Sequence, residues 1–344
     1  MKTPRSFSRR PADLSRRQSL GLFAGAAVSP FVLSPFALSS GARAQNAVIK
    51  VVTTTSMIAD AARQVGGDRV EVTALMGPGV DPHAYRQTRT DILALSRADV
   101  VLWHGLYLEA QMEEFLLGLA QKRPVVAVGE SVAVEKRLGN DDYADRFDPH
   151  VWMDPALWRD VVTAVRDALI EAAPNDQALF EANTTRHLAE IDNLAVYASN
   201  VLASVPKRSR VLLSAHDAFN YFGSAYGYDV EGIQGISTEA EAGLRRIEEL
   251  VALIVERDVK AVFIESSVSD RNVRALIEGA GAQGHDLSIG GELFSDAMGP
   301  AGSYEGTYIG MIDHNATTIA RALGGEAPEL GMRGALTLAT STGQ

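Results

Sequence analysis

The chain has 344 residues, of which 46% are hydrophobic, enough for two domains of ordinary size with a buried core in each. Its formal net charge is −11, but residues 1–44 hold seven Lys/Arg and one acid, so the remainder holds 25 basic and 42 acidic residues, a charge of −17. The negative charge of the chain after residue 44 argues against nucleic acid or anionic lipid as a partner. The absence of cysteine excludes disulfides, Cys-based metal sites and a lipid-bearing N-terminal cysteine.

The first 44 residues have the three parts of an export signal. A basic region with paired arginines precedes an apolar run of small residues over 20–38, and an Ala-x-Ala cleavage site follows at 42–44. The arginine pair resembles a twin-arginine signal. The alternative is a transmembrane anchor, for which Pro30 and Pro35 make the run a poor span. We therefore expect cleavage near Ala44-Gln45 and a location in the periplasm.

After the signal, segments rich in β-branched residues alternate with helical patterns, twice over. The predicted strands are Val48–Val52, Val70–Leu75, Val100–Trp103, Val125–Val128, Val211–Ser214, Tyr228–Ile233, Ala261–Ile264 and Asp286–Ile289. The predicted helices include Met57–Val65, Asp91–Ala98, Tyr107–Ala120, Pro155–Glu171, Ala240–Glu256 and Asn272–Gly279. Between the two series lies Asn175–Leu202, a long polar-rich stretch without Gly or Pro that is compatible with one helix.

This alternation predicts an α/β fold with two lobes, each built on a parallel sheet, and a cleft between them. We expect an export signal at 1–44, a first lobe at 45–173, a bridging helix at 174–206 and a second lobe at 207–344. The charged segment 130–147 is interpreted as a flexible loop. Ligands of open α/β sheets bind beyond the C-terminal ends of the strands, so the loops that follow strands are searched first.

Three of the seven histidines lie in unusual loop contexts. His83 ends Met76-Gly77-Pro78-Gly79-Val80-Asp81-Pro82-His83, after the second strand, and His150 belongs to a second Asp-Pro-His triplet at 148–150. His216 follows the strand at 211–214, and Asp296 offers a carboxylate after the last strand. Each could be an ordinary surface residue. Together, three imidazoles and a carboxylate drawn from both lobes are a complete shell for a borderline divalent metal ion.

The motifs around these residues resemble the TroA-like family of zinc/manganese solute-binding proteins, the metal receptors of ABC importers. The resemblance rests on MGPGVDPH at 76–83, DPHVWMDP at 148–155, SAHDAFNYFGSAYGY at 214–228, GIQGIS at 232–237, ELFSDAMG at 292–299 and GTYIGM at 306–311. It spans residues 48 to about 323 in the family's order. It implies two (β/α)₄-type lobes bridged by a long rigid helix, and metal ligands at His83, His150, His216 and Asp296.

Two departures from relatives leave the cargo open. The stretch at 136–147 contains acids but no histidine, whereas zinc-scavenging relatives often carry a His-rich loop there. The third ligand is His216, where some manganese relatives have Glu. The ion itself is expected to be the transported ligand, with no resident cofactor.

Several other residues are given secondary roles. His104 is expected to line the cleft or support a ligand, with direct ligation as the alternative. His187 is expected on a solvated face of the bridging helix, and His285 and His314 to be structural. Glu265 could support the site or cap a helix, and Asp154 could orient an imidazole or cap the helix at Pro155. The tryptophans and nearby aromatic residues are interpreted as packing rather than as a sugar-binding cleft.

The predicted function is therefore capture of one Zn²⁺ or Mn²⁺ ion and its delivery to an ABC permease in the inner membrane, by a monomer that is not an enzyme. The alternatives are a periplasmic zinc hydrolase and a metal-binding adhesin. A catalytic zinc keeps an open position for water, whereas four protein ligands close the shell, and no His-Glu-x-x-His motif is present.

Overall fold

Valine- and isoleucine-rich segments form the parallel strands around which the protein is built. The structure, a computed structural model, describes residues 48–139 and 145–337. The predicted export signal and part of the predicted flexible loop lie outside these residues. Within them, no helix combines the length and the apolar composition that crossing a bilayer requires.

The first lobe contains a four-stranded sheet. Its strands are β1 Ile49–Thr53, β2 Val70–Ala74, β3 Val100–Trp103 and β4 Val125–Ala127, with α1 Ser56–Gly66, α2 Arg89–Arg97, α3 Glu113–Ala120 and α4 Pro155–Ala172. The strand order is β2-β1-β3-β4 and every pair is parallel. All four residues of β3 are buried, as expected for a strand covered on both faces.

The second lobe repeats the arrangement with four more strands. These are β5 Val211–His216, β6 Asp229–Gln234, β7 Ala261–Glu265 and β8 Ser288–Leu293, with α6 Asn220–Tyr226, α7 Leu244–Arg257, α8 Arg271–Ala282 and α9 Tyr308–Ala322. The strands form two parallel pairs, β5 with β6 and β7 with β8, and β5 lies alongside β7. The prediction of two α/β lobes with parallel sheets is confirmed.

One long helix, α5 Gln177–Ala203, joins the two series. At 1.5 Å per residue its 27 residues span about 40 Å. It packs against α1 and α4 of the first lobe and against α9 of the second, so it is supported along its length. The prediction for His187 was wrong, because this side chain faces inward and is only 2% exposed.

Helix α3 begins six residues later than its predicted start at Tyr107. The backbone of Gly105, Leu106 and Tyr107 has φ values of 78°, 54° and 70°, which is left-handed and incompatible with a right-handed helix. Glu109 stabilises this turn by accepting hydrogen bonds from the backbone N–H of His104 and of Gly105 and from the Thr54 hydroxyl. The carboxylate of a residue within the predicted helix therefore prevents that helix from forming there.

The lobes share a buried apolar interior in which α9 reaches across to the first lobe. The Tyr308 ring stacks on Trp158 at 5.1 Å between centroids. Its backbone N–H donates to Asp60 on α1, and its hydroxyl donates to the Trp152 carbonyl. All three tryptophans are at most 4% exposed, which confirms that they serve packing.

Candidate metal centre

His83 is held by a tight turn after β2. Gly79 has a φ of +72°, and a Cβ at this position would lie 3.3 Å from the Ser266 carbonyl oxygen of the second lobe, so the loop passes close to that lobe. Asp81 Oδ1 accepts the backbone N–H of His83 at 2.8 Å. The turn thus directs the imidazole inward, and His83 is 3% exposed.

His150 is oriented by Asp148, two residues earlier. Asp148 Oδ1 accepts the backbone N–H of His150 at 2.9 Å and lies 2.7 Å from its Nδ1. Asp154, for which both orientation of an imidazole and capping of the helix at Pro155 were predicted as roles, caps α4 by accepting the N–H of Ala156. Both Asp148 and His150 are completely buried.

His216 is the last residue of β5 and Asp296 follows β8, so both lie at the C-terminal ends of strands of the second lobe. Glu265, at the end of β7, accepts the His216 backbone N–H at 2.9 Å, and its other oxygen lies 2.5 Å from Nδ1. Asp296 lies in the loop after β8. The Asn315 side chain on α9 bonds both the N–H and the carbonyl of Phe294, and Trp152 donates to the Ser295 carbonyl. The loop that carries Asp296 is therefore fixed from both lobes.

The four side chains converge on one point. Each offers a ligand atom, and these atoms all lie within 4.8 Å of one another. His150 Nε2 is 3.4 Å from His83 Nε2 and 3.3 Å from Asp296 Oδ1, and His216 Nε2 is 3.2 Å from Asp296 Oδ2. Four ligands about 2.1 Å from a tetrahedral zinc ion are about 3.4 Å apart. These three distances are close to that spacing, whereas His83 Nε2 lies farther, at 3.7 Å, from Asp296 Oδ2.

The inward-facing atoms have little other bonding. Apart from contacts with one another and with His83 and His150, neither carboxylate oxygen of Asp296 nor Nε2 of His216 has a hydrogen-bond partner among the described residues, although all three atoms are buried. Buried polar atoms are normally satisfied, and a carboxylate without donors is costly. Such a set is what a site for a cation requires.

The electrostatics of the cluster are strongly coupled. Burial opposes protonation of His150, yet Asp148 and Asp296 raise its pKa to about 9. The pKa of His216 is likewise raised well above its usual value by Glu265 and Asp296, against the effect of burial. Burial lowers the pKa of His83 to about 3, and the pKa of Asp296 is held well below its usual value by the imidazoles despite burial. Protons on His150 and His216 would thus offset two of the three carboxylate charges of Asp148, Asp296 and Glu265 where no divalent cation does.

His104 lies beside the cluster and outside it. Its Nε2 is 2.7 Å from the Pro149 carbonyl, and its ring meets Trp152 edge-on at 4.9 Å. Burial lowers its pKa to about 3, so the ring is neutral and donates to that carbonyl. The side chain therefore supports the loop of His150 rather than directing an atom into the site.

The remaining histidines are distant from the cluster. Nε2 of His285 pairs with the Val259 carbonyl and Nε2 of His314 with the Glu292 carbonyl, which are structural roles. The sequence motifs contain Asp81 and Asp148 as parts of the Asp-Pro-His triplets but do not by themselves assign these residues a role. The signal that could have revealed their role is the repeated spacing, because Asp two residues before a histidine can accept that residue's backbone N–H.

Comparisons with known proteins decide the family. The sequence model of a family described as "Zinc-uptake complex component A periplasmic" matches residues 51–322. The chain belongs to this family. It is 43% identical over 303 residues to the manganese-binding lipoprotein MntA of Bacillus subtilis, covering 88% of this chain and 99% of that protein. It is 46% identical over 273 residues to the zinc-binding protein TroA of Treponema pallidum, covering 79% and 88%.

The fold agrees with this assignment. The solved structure of the periplasmic zinc-binding protein TroA from Treponema pallidum superposes with a TM-score of 0.78, at 46% identity, covering 80% of this chain and 99% of that structure. The resemblance to TroA-like metal receptors inferred from the motifs is therefore confirmed, as is the two-lobed fold. Relatives in the zinc-uptake component A family carry names for zinc and for manganese, so the names do not single out one ion.

Proposed function

We propose that this protein binds one divalent transition-metal ion, Zn²⁺ or Mn²⁺, and delivers it to an ABC import permease. The observation that supports this most directly is the cluster of four buried ligand atoms within 4.8 Å of one another, in which His216 Nε2 and both Asp296 oxygens have no hydrogen-bond partner outside the cluster among the described residues. The proposed ligands are His83, His150, His216 and Asp296, two from each lobe.

Capture suits this arrangement better than catalysis. A catalytic zinc ion keeps a position open for water and places a general base beside it. Here four protein ligands fill the shell, and each is at most 3% exposed. The Nδ1 atoms of His150 and His216 already contact Asp148 and Glu265, so these carboxylates orient ligands rather than activate water. We propose that the protein is not an enzyme.

The ligand chemistry favours zinc. Three imidazoles and one carboxylate form a softer set than two of each, and nitrogen ligation favours Zn²⁺ over Mn²⁺ along the Irving–Williams order. We propose that the purified protein binds Zn²⁺ more tightly than Mn²⁺ and can bind both. Competition titrations with the two ions measure the ratio, and a higher affinity for Mn²⁺ would show that cavity size outweighs ligand chemistry.

The proposed setting is the periplasm. Residues 1–44 would be removed as an export signal of the twin-arginine type, residues 45–173 and 207–344 would form the lobes, and 174–206 would include the bridging helix. The Bacillus relative is described as a lipoprotein, whereas this chain contains no cysteine to which a lipid could be attached. We propose a monomer whose partner is the permease in the inner membrane.

The ligand assignment is tested by single alanine substitutions of His83, His150 and Asp296. Each should weaken zinc binding by at least 100-fold, and the parent should bind one ion per chain by titration and elemental analysis. His285→Ala is the matched control, because its ring lies outside the site, and it should titrate like the parent. Parental affinity in all three ligand variants would overturn the assignment.

A further inference from the structure

The two Asp-Pro-His triplets connect the ligands of the first lobe to the second lobe in the same way. Asp81 Oδ1 accepts the His83 N–H at 2.8 Å, and its Oδ2 accepts the Thr238 hydroxyl at 2.5 Å. Asp148 Oδ1 accepts the His150 N–H at 2.9 Å, and its Oδ2 accepts the Asn220 amide at 3.2 Å. In both triplets one oxygen fixes the ligand histidine and the other reaches a side chain of the opposite lobe.

The second-lobe histidine is supported differently. Glu265 holds both the backbone N–H and Nδ1 of His216, and it belongs to the same lobe. The alignment of His216 therefore does not depend on contact between the lobes. The alignment of the first-lobe histidines does depend on contact between the lobes, because Thr238 and Asn220 hold the aspartates that fix them.

The two connections differ in how firmly they are held. Asp148 is completely buried, and its carbonyl also accepts the Tyr221 hydroxyl, which in turn accepts the N–H of Leu138. Asp81 and Thr238 are only half-buried, at the side of the cluster where Gly79 passes close to the Ser266 carbonyl. The Asp81–Thr238 pair is therefore the connection that can open while the Asp148 side stays closed.

We propose that Thr238 and Asp81 form a clasp across the lobes that retains the bound metal ion by keeping His83 in place. Thr238 is a positioning residue, since it contacts Asp81 and not the ion. Opening the clasp frees the loop of His83, so one ligand leaves before the other three. The inference rests on the proposed metal-binding function and adds the element that controls release from that site.

The test compares zinc release from the full-length protein carrying Thr238→Val, Thr238→Ser or no change. Valine keeps the shape of threonine and removes the hydroxyl, whereas serine keeps the hydroxyl. Each protein is loaded with one equivalent of Zn²⁺ and mixed with excess chromophoric chelator in a stopped-flow instrument. Thr238→Val should release zinc about tenfold faster, because a hydrogen bond to a charged acceptor is lost. Its association rate and the visible spectrum of its Co²⁺ complex should stay parental, and Thr238→Ser should restore slow release.

Thr185→Val is the matched control, because the Thr185 hydroxyl is exposed on α5 and donates to the Glu181 carbonyl of the same helix. Parental zinc binding together with parental release from Thr238→Val would overturn the clasp and leave the proposed function standing. Faster release from Thr185→Val as well, or no recovery with Thr238→Ser, would also overturn it. A parent chain that binds no zinc would instead overturn the proposed function, and the clasp with it. If Thr238→Val does not fold, Thr238→Ala is measured in its place.

Discussion

At the scale of single residues, the carboxylates behind the ligands matter as much as the ligands. His150 and His216 each have Nδ1 against a buried carboxylate, which fixes the ring and leaves Nε2 directed inward. This arrangement raises the basicity of the imidazole and reduces its freedom to rotate. The two carboxylates therefore hold both rings in the orientation that the candidate site requires.

Replacing Glu265 by Gln should lower the affinity for zinc by roughly 10- to 100-fold, as is usual for residues that orient a metal ligand. The amide cannot accept hydrogen bonds at both of its ends, so either the backbone N–H or Nδ1 of His216 loses its partner. Competition titration measures the effect. Glu292→Gln, an exposed change on the neighbouring strand β8, is the control and should bind like the parent. Equal affinities in the two variants would contradict a role for Glu265.

The raised pKa of His150 predicts how stability depends on pH. Its value is about 9 in the folded protein and near 6.5 in an unfolded chain, so the metal-free folded state binds more protons between these values. The stabilisation is complete below pH 6.5 and is lost as the pH rises through 9. The pKa of His216 is also raised, so this residue adds to the loss of stability as the pH rises.

Metal-free protein should therefore lose stability from pH 6.5 to 9, as measured by urea unfolding. The metal-loaded protein should keep its stability over this pH range, because its imidazoles have already released their protons to bind the ion. Parallel pH profiles for the two forms would show that these histidines do not exchange protons for metal.

At the scale of elements, the strands were predicted closely because β-branched residues and turn signals mark them along the chain. The strand β3 was predicted with its observed bounds, and β1 within one residue at each end. The start of α3 was missed, because its hydrophobic pattern extends through a turn that Glu109 holds in a left-handed conformation. The hydrogen bond from the His104 N–H joins Glu109 to the residue that follows β3. The periodicity of hydrophobic residues along the chain does not encode this contact.

On the bridging helix α5, tertiary packing again decides the environment of a side chain. His187 is buried on it, and within the described part of the chain neither ring nitrogen has a hydrogen-bond partner. Burial lowers the pKa of this imidazole, although the charges of Asp60 and Glu190 oppose the change, so the ring is neutral.

Replacing His187 by Leu should stabilise the protein by about 1 kcal/mol, because it removes two buried polar atoms without partners and keeps a side chain of similar volume. Urea unfolding of metal-free protein measures the change. The same substitution at His285 should destabilise instead, since its Nε2 pairs with the Val259 carbonyl. A less stable His187→Leu variant would mean that the ring is hydrogen-bonded in solution.

At the scale of the whole molecule, the candidate site joins two lobes that the sequence predicts separately. The strand ends and the Asp-Pro-His triplets point to His83, His150, His216 and Asp296 individually. Their convergence within 4.8 Å depends on the packing of α5 and α9, which brings the lobes together. The cross-lobe bonds of Thr238 and Asn220 depend on the same packing, and no local pattern marks them.

An ion held between lobes should stabilise the entire fold, because the unfolded chain offers no comparable site. At free metal about 100 times the dissociation constant, linkage adds roughly 2.7 kcal/mol to the free energy of unfolding. Thermal melting with Zn²⁺ or Mn²⁺ should shift upward as a single transition and return after addition of chelator. Two separate transitions, only one of them sensitive to metal, would contradict a site shared by both lobes.

The reach of α9 into the first lobe also constrains the order in which the chain can fold. Tyr308 completes the interior around Trp158 and bonds Asp60 and the Trp152 carbonyl, although more than 130 residues separate it from each of them in sequence. Domains commonly fold one after another as they emerge from the ribosome. Here the N-terminal lobe lacks part of its own core until Tyr308 has been synthesised. The first lobe therefore cannot complete its folding before α9 is available, and any factor that protects the nascent chain must act until α9 has emerged.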